Sequence, residues 1–311
     1  RSSVGLVLDD KWVWDSWPVD DQQGRHHLFY LQADRALVDP HLRHMNASVG
    51  HAASDDFRTW EVLPDAMAAR ATPGWDDRTI GTGSVVRGGT GRYHLFYTGA
   101  SASEGGMIQR IGRADSDDLL HWERFGADPV LQADARWYEK WDGTNWHDEA
   151  FRDPWVMRDP AGHGWHMLMT ARCRDGDMFS RGVIGHAWSA DLDVWEPRPP
   201  LSGPGKFGQL EGLQYAELGG VPHMVFSCDE DELHPDLHIE GQPGGVWLVP
   251  GEGLLGPWNL NSARRVDHES LYAARVVNDI DGSQRLLGFS DVADGEFVGG
   301  ILDPVEIELE S

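Results

Sequence analysis

The run Gly83-Ser84-Val85-Val86, His94-Leu95-Phe96-Tyr97, Gly112-Arg113-Ala114 and Ser116-Asp117-Asp118-Leu119-Leu120-His121-Trp122-Glu123 decides the fold, because its order recurs on both sides. Its first three pieces are short and apolar, separated by polar or Gly-containing stretches, as strands of a sheet should be. The last is a tight turn that ends on a Trp. Upstream, Trp12 to Pro18, His27 to Leu31, Ser48 to Ser54 and Asp55 to Glu61 follow the same order. A third round runs Asp153 to Val156, His166 to Met169, Gly185 to Ala187 and Ser189 to Glu196. A fourth runs Glu211 to Tyr215, His223 to Phe226, Val246 to Leu248 and Gly256 to Trp258. A fifth begins at Leu271 to Val276 and Arg285 to Phe289.

Five units of about 60 residues, each reading as three or four short strands, predict a five-bladed β-propeller. Stretches of helical period are missing, which excludes alternating strand–helix architectures. WD-type repeats are shorter, at about 40–45 residues. The Ser-x-Asp-x-x-x-Trp turns resemble the Asp-box of sialidase-like propellers without its Gly spacing. With no linker in view, residues 1–311 read as a single all-β propeller domain without a C-terminal β-sandwich. Ile301 to Leu309 is expected to supply a later strand, and Ser3 to Leu8 can close the ring.

Composition narrows the function. The formal charge of −25 argues against nucleic acid, whose phosphates require clustered cations, and against anionic membrane surfaces. Many Asp and Glu beside 15 Trp suit a small carbohydrate, whose apolar ring faces stack on aromatics while its hydroxyls meet carboxylates. Cys173 and Cys228 have neither a disulfide framework nor zinc-ligand spacing, and each lies in an apolar strand-like run, so both read as buried free thiols. No run of about 18 apolar residues suggests a transmembrane helix. The chain carries no signal peptide but begins at Arg1 rather than Met, which leaves a cytoplasmic and a processed, secreted protein both open.

Propeller geometry converts the repeats into a site. The first strand of each blade lines the channel, and its start faces the mouth. Aligning the units on their second strands places Asp15, Ser84, Asp153, Glu211 and Tyr272 at nearly equivalent positions. Three of these are carboxylic acids. Asp15 sits among Trp12, Trp14 and Trp17, and Glu211 between Leu210 and Leu213; such collars cost free energy unless the charge is paired or used. In Phe151-Arg152-Asp153-Pro154-Trp155, the proline fixes its own φ and is expected to push Asp153 toward extended geometry. Carboxylates facing one another across a cleft are equipped for glycoside cleavage. One attacks the anomeric carbon or activates water, and another, its pKa raised, protonates the leaving oxygen.

At these residues the chain resembles the five-bladed propeller glycosidases of families 32, 68 and 43. Trp14-Asp15-Ser16-Trp17-Pro18 is similar to the family 68 nucleophile motif. Trp75, Asp77 and Thr82-Gly83-Ser84, with Gly50-His51-Ala52-Ala53-Ser54-Asp55-Asp56 and Trp60, resemble family 32 segments. Phe151-Arg152-Asp153-Pro154 is similar to the shared transition-state-stabiliser motif, and Leu271-Tyr272-Ala273-Ala274 to the fifth-blade Tyr-Ala motif. The resemblance implies Asp15 as nucleophile, Asp153 as stabiliser oriented by Arg152, and Glu211 as acid/base. It implies a fructosyl subsite shaped by Trp14, Trp17, Ser84 and Tyr272, with Trp75, Asp77 and Trp155 further out.

The chain departs from family 32 in lacking Asn-Asp-Pro-Asn around Asp15 and in carrying Gly212 after Glu211. The expectation is a retaining hydrolase or transglycosylase acting on β-fructofuranosides such as sucrose or short fructans. An inverting arabinofuranosidase or xylosidase of the family 43 kind and a sugar-binding propeller without catalysis stay open. No cofactor is implied. The stretch Asp229 to His238 reads as a solvated acidic loop over the mouth, with a calcium ion as the other reading.

Overall fold

The alternation of apolar runs and turn residues becomes five four-stranded antiparallel sheets in the computed structural model, which describes residues 3–311. Arg1, where the leader question arises, lies outside the described residues. Blade one consists of Lys11–Asp20, His26–Asp34, Ser48–Ser54 and Glu61–Met67. Blade two consists of Thr79–Arg87, Tyr93–Ala100, Gln109–Ser116 and Glu123–Arg124, and blade three of Phe151–Arg158, Trp165–Arg172, Gly182–Ser189 and Glu196–Arg198. Blade four consists of Glu211–Leu218, Val221–Cys228, Gly245–Pro250 and Arg264–Arg265. Blade five takes Leu271–Asn278, Gln284–Ala293 and Glu296–Leu302 from the C-terminal part of the chain and its outermost strand, Val4–Leu6, from the N-terminal part. The first strand of every blade touches the first strand of both neighbours, so the five form a closed ring around the channel. The apolar cores lie between the blades, and the cluster containing Leu6, Trp12, Trp17, Leu95 and Phe289 spans blades five, one and two.

The recurring Ser-x-Asp turns have a shared physical basis. Ser54, Ser116 and Ser189 each accept two backbone N–H groups of their own turn through Oγ. Asp56, Asp118 and Asp191 each accept two more. Directly after each of these Asp residues sits an apolar residue at positive φ, namely Phe57, Leu119 or Leu192. In blades two and three the Trp that ends the motif donates Nε1–H back to the carbonyl of that residue.

Two expectations need correction. The late strand is Glu296–Leu302 rather than Ile301 to Leu309. Pro304 has no N–H to offer a ladder, and beyond it Val305 and Leu309 make only isolated bridges. Of the two thiols, Cys228 is buried but Cys173 is only half-buried.

The innermost strands share a feature that no apolar pattern reveals. In each, two residues face one on the second strand: Trp14-Asp15, Thr82-Gly83, Asp153-Pro154, Gly212-Leu213 and Ala273-Ala274. These are β-bulges, which re-aim side chains and bend the strand. Asp153, Gly212 and Ala273, the first bulge residues of blades three to five, have φ of 58°, 60° and 49°. The extended geometry expected for Asp153 is therefore replaced by a left-handed one. Glycine after Glu211 fits the same requirement, since only glycine adopts it without a Cβ penalty.

Because the ring is closed by Val4–Leu6, Leu6, which is 3% exposed, should contribute to the stability of the whole ring. Leu6→Ala is predicted to destabilise the protein by roughly 2–5 kcal/mol in urea unfolding. A midpoint equal to wild type would mean that this strand does not close the ring.

Candidate active site

The bulges gather the acids in one cavity of about 990 Å³ at the channel mouth. Asp15, Asp153 and Glu211 all line it, with Trp14, Arg152 and Tyr272. Register explains how close the repeat alignment came. Glu211 and Tyr272 directly precede their bulges, Asp153 is the first bulge residue of blade three, and Asp15 is the second of blade one. Asp15 thus lies mid-strand and not at the strand start.

Each carboxylate is held differently. Asp15 keeps a face open to the cavity but is otherwise walled in, and its Oδ2 accepts the Thr82 hydroxyl. Burial, and then the Asp153 carboxylate, push its pKa up to about 7. Asp153 is 2% exposed, and its Oδ2 accepts the Gly212 N–H at 3.0 Å and the Thr170 hydroxyl at 3.3 Å. Burial raises its pKa as well, against the pull of Arg152. Glu211 is half-buried and gripped from two sides: Tyr272 Oη donates to Oε1 at 2.5 Å and Arg152 Nη2 to Oε2 at 3.2 Å.

Arg152 was expected to orient Asp153, but its guanidinium is directed elsewhere. It donates to Gln209 Oε1 at 2.6 Å and to Glu211, and comes no nearer than 4.0 Å to Asp153. Arg152 therefore positions the carboxylate of the next blade.

Five other expected subsite residues are not brought to the cavity. Trp17 is fully buried in the core between blades. Ser84 lies just past its bulge, is 1% exposed, and accepts the Val156 N–H of blade three; Thr82 takes the place at the cavity. Trp75 stacks on Tyr97. Asp77 accepts the Ala102 and Gly74 N–H groups and so fastens a loop. Trp155 packs between blades three and four. Among the described residues, Trp14 is the sole tryptophan lining the cavity, so the abundance of Trp is mostly a property of the core.

Sequence reasoning missed several cavity residues. The 3-10 helix Pro40–Asn46 brings Arg43 and His44 to the wall, Arg43 lying over the Phe297 ring at 4.0 Å. His44 is exposed to the cavity, where desolvation by the surrounding wall, and then the Arg43 charge, lower its pKa. Gln209 and Thr82 complete the holds on Arg152 and Asp15. The one available signal was Thr82-Gly83-Ser84 itself, read one bulge too late. Asp229, Glu230, Asp231 and Glu232 do line the mouth, in a 3-10 turn followed by the short helix Pro235–Ile239. Burial, then Glu211, raises Glu232 to about 7. Among the described residues no three of His, Cys, Asp or Glu converge closely enough to hold a metal ion, and no helix is long and apolar enough to cross a membrane.

A five-bladed propeller with three carboxylates converging at the mouth of its channel defines a glycosidase-type centre. The chain belongs to glycosyl hydrolases family 32: the profile of that family's N-terminal domain matches residues 10–297. It is 25% identical to the extracellular sucrase of Zymomonas mobilis over 98% of this chain and 84% of that protein. It is 32% identical to the levansucrase of the same organism over 81% of this chain and 67% of that protein. The inulosucrase of Halalkalicoccus jeotgali bound to kestose shares the fold, with a TM-score of 0.72 at 20% identity over 97% of this chain and 88% of that one.

The raised Asp15 carboxyl has a consequence for stability. An acid whose folded pKa lies above its unfolded value of 3.8 costs folding free energy once pH exceeds that value. The cost grows until pH passes the folded pKa and is constant above it. Asp15→Asn should therefore raise Tm at about pH 8, by roughly 1–2 °C for each kcal/mol relieved, and change it far less at about pH 4. Equal Tm values at both pH values in calorimetry would refute the buried-charge account of Asp15.

Proposed function

We propose that this chain cleaves β-fructofuranosides such as sucrose and short fructans, passing the fructosyl group to water or to a second sugar with retention. The observation that carries the reading is the convergence of Asp15, Asp153 and Glu211 on one cavity. The names of the relatives, a sucrase and a levansucrase, support the choice of substrate.

In this reading Asp15 attacks the anomeric carbon of the fructosyl unit while Glu211 gives its proton to the departing glycosidic oxygen. The bond to the leaving sugar breaks, and a fructosyl ester forms on Asp15. Glu211, now a carboxylate, takes a proton from the incoming water or sugar hydroxyl, whose oxygen displaces Asp15. Asp153, which the Gly212 amide holds in place, faces the ring hydroxyls as positive charge develops. Tyr272 and Arg152 keep Glu211 directed at the leaving oxygen, so a misaimed proton donor is avoided. Because Asp15 must be ionised to attack and burial raises its pKa, activity should fall with acidification well above the ordinary carboxylate range.

The test is to offer sucrose, inulin, levan and nitrophenyl arabinofuranoside to the wild type, Asp15→Asn and Glu211→Gln. Turnover of one or more fructosides is predicted, with kcat lowered roughly 10³-fold or more in each variant. Turnover of the arabinofuranoside alone would transfer the chain to the arabinofuranosidase reading. Sugar binding without turnover would make it a binding propeller, and unchanged rates in both variants would overturn the site assignment.

A further inference from the structure

Close to Asp15 and Asp153 lies a cation that takes no part in the bond-breaking steps. Arg275 directly follows the bulge of blade five and is fully buried. Its Nε–H donates to the Ser16 carbonyl of blade one at 3.1 Å. Its Nη1 donates to the Gly212 and Leu213 carbonyls of blade four at 2.9 and 2.8 Å. The Trp155 ring of blade three lies 5.0 Å from its Cζ. One guanidinium thus meets three other blades. Among the described residues Nη2 has no hydrogen-bond partner, nor does the nearby Ser16 hydroxyl.

The carbonyls it holds adjoin the acids. Ser16 follows Asp15 directly, and Gly212, whose carbonyl accepts from Arg275, gives its N–H to Asp153. A fully buried cation is expensive unless anions balance it, and two buried carboxylates facing each other are expensive unless a cation does. Here the two costs offset. An arginine suits this place better than a lysine, because its planar fork satisfies several carbonyls at once and stays charged when desolvated.

We propose that Arg275 is a positioning residue for the reaction: a buried cation that balances Asp15 and Asp153 and holds blades one and four at the spacing those carboxylates need. The inference rests on the roles given to Asp15 and Asp153 above. Arg275 touches no substrate; it acts through the bulge carbonyls and through its charge. The groups facing Asp15 are Thr82 from blade two, Asp153 from blade three, Glu211 from blade four, Arg275 from blade five and, further off, Arg43 from the wall helix. Glu211 and Asp153 disfavour a charged Asp15, whereas Arg275 favours it. Burial lowers the pKa of Arg275 itself to about 10, so it is still cationic at neutral pH.

The experiment compares pH profiles of kcat/KM on sucrose for the wild type, Arg275→Lys and Arg275→Met. Loss of the cation should move the acid limb of Arg275→Met up by about one pH unit or more and lower kcat more than it changes KM. Arg275→Lys, which keeps the charge but not the fork, should restore the limb while recovering only part of kcat. An Arg275→Met profile that is uniformly lower with its limb in place would reduce Arg275 to a structural residue and overturn the proposal.

A stability cycle reads the same pairing without activity, which separates failure of this inference from failure of the fructosidase reading. The fall in Tm caused by Arg275→Met should be smaller in an Asp15→Asn background, where one uncompensated anion is gone. If Arg275→Met alone yields no folded protein, Asp15→Asn/Arg275→Met should recover it. Equal falls in both backgrounds, or no recovery, would contradict the proposal.

Discussion

The structure depends on what happens to the amides that each bulge releases from its ladder. A bulge leaves backbone groups unpaired, and a buried unpaired N–H costs about 1–3 kcal/mol. Three of the five blades hand the first bulge N–H to the preceding blade. Asp153 N–H goes to Thr98 Oγ1 of blade two, Gly212 N–H to Asp153 Oδ2 of blade three, and Ala273 N–H to Ser227 Oγ of blade four. A second set follows a few residues on, with Val156 N–H donated to Ser84 and Val276 N–H to Gln214. The irregularity that turns side chains toward the mouth therefore also fastens neighbouring blades together. Asp153 belongs to both systems at once, since its carboxylate faces the cavity while accepting an amide from the next blade.

This coupling explains how a small cavity tolerates so much negative charge. Among the described residues, ten carboxylic acids line it, against the arginines Arg43, Arg152 and Arg265. Arg265 is committed to Glu310, and Arg152 to Glu211 and Gln209. The innermost acids are compensated by hydroxyls, by a bulge amide and by Arg275 beneath them. The uncompensated remainder appears as raised carboxyl pKa values at Asp15, Asp153 and Glu232. Stability given up at the mouth is recovered in the inter-blade cores, where Trp17, Phe29, Phe96 and Phe226 are fully buried. Such an exchange is common in enzymes, whose sites hold groups that a purely structural protein would neutralise.

Blade number, strand order and the three acids were legible in the sequence because each leaves a local mark. Short apolar runs mark strands, Ser-x-Asp turns mark their ends, and proline and glycine punctuate the first strands. The register of those strands was not legible, because a bulge adds one residue without altering the apolar pattern. That single missing datum accounts for most of the differences. It turned Ser84 away from the cavity and put Thr82 there, placed Asp153 in a left-handed rather than an extended conformation, and sent the Arg152 fork to Glu211. Arg275 stayed invisible for a related reason. A lone arginine after a Tyr-Ala motif looks like a surface residue until the bulge sets its direction. Trp75, Asp77 and Trp155 show the opposite error, in which residues near a motif in the chain were placed near it in space.

The proposed mechanism requires Asp15 to supply the attacking oxygen of a covalent intermediate while Asp153 and Glu211 support it. The most direct measurement is rapid acid quenching of Glu211→Gln during turnover of a fructosyl donor with a good leaving group, followed by peptide mass spectrometry. A peptide containing Asp15 and heavier by one fructosyl unit is expected, absent when Asp15→Asn is combined with Glu211→Gln. An adduct on a different carboxylate, or release of product of inverted configuration with no adduct, would contradict it.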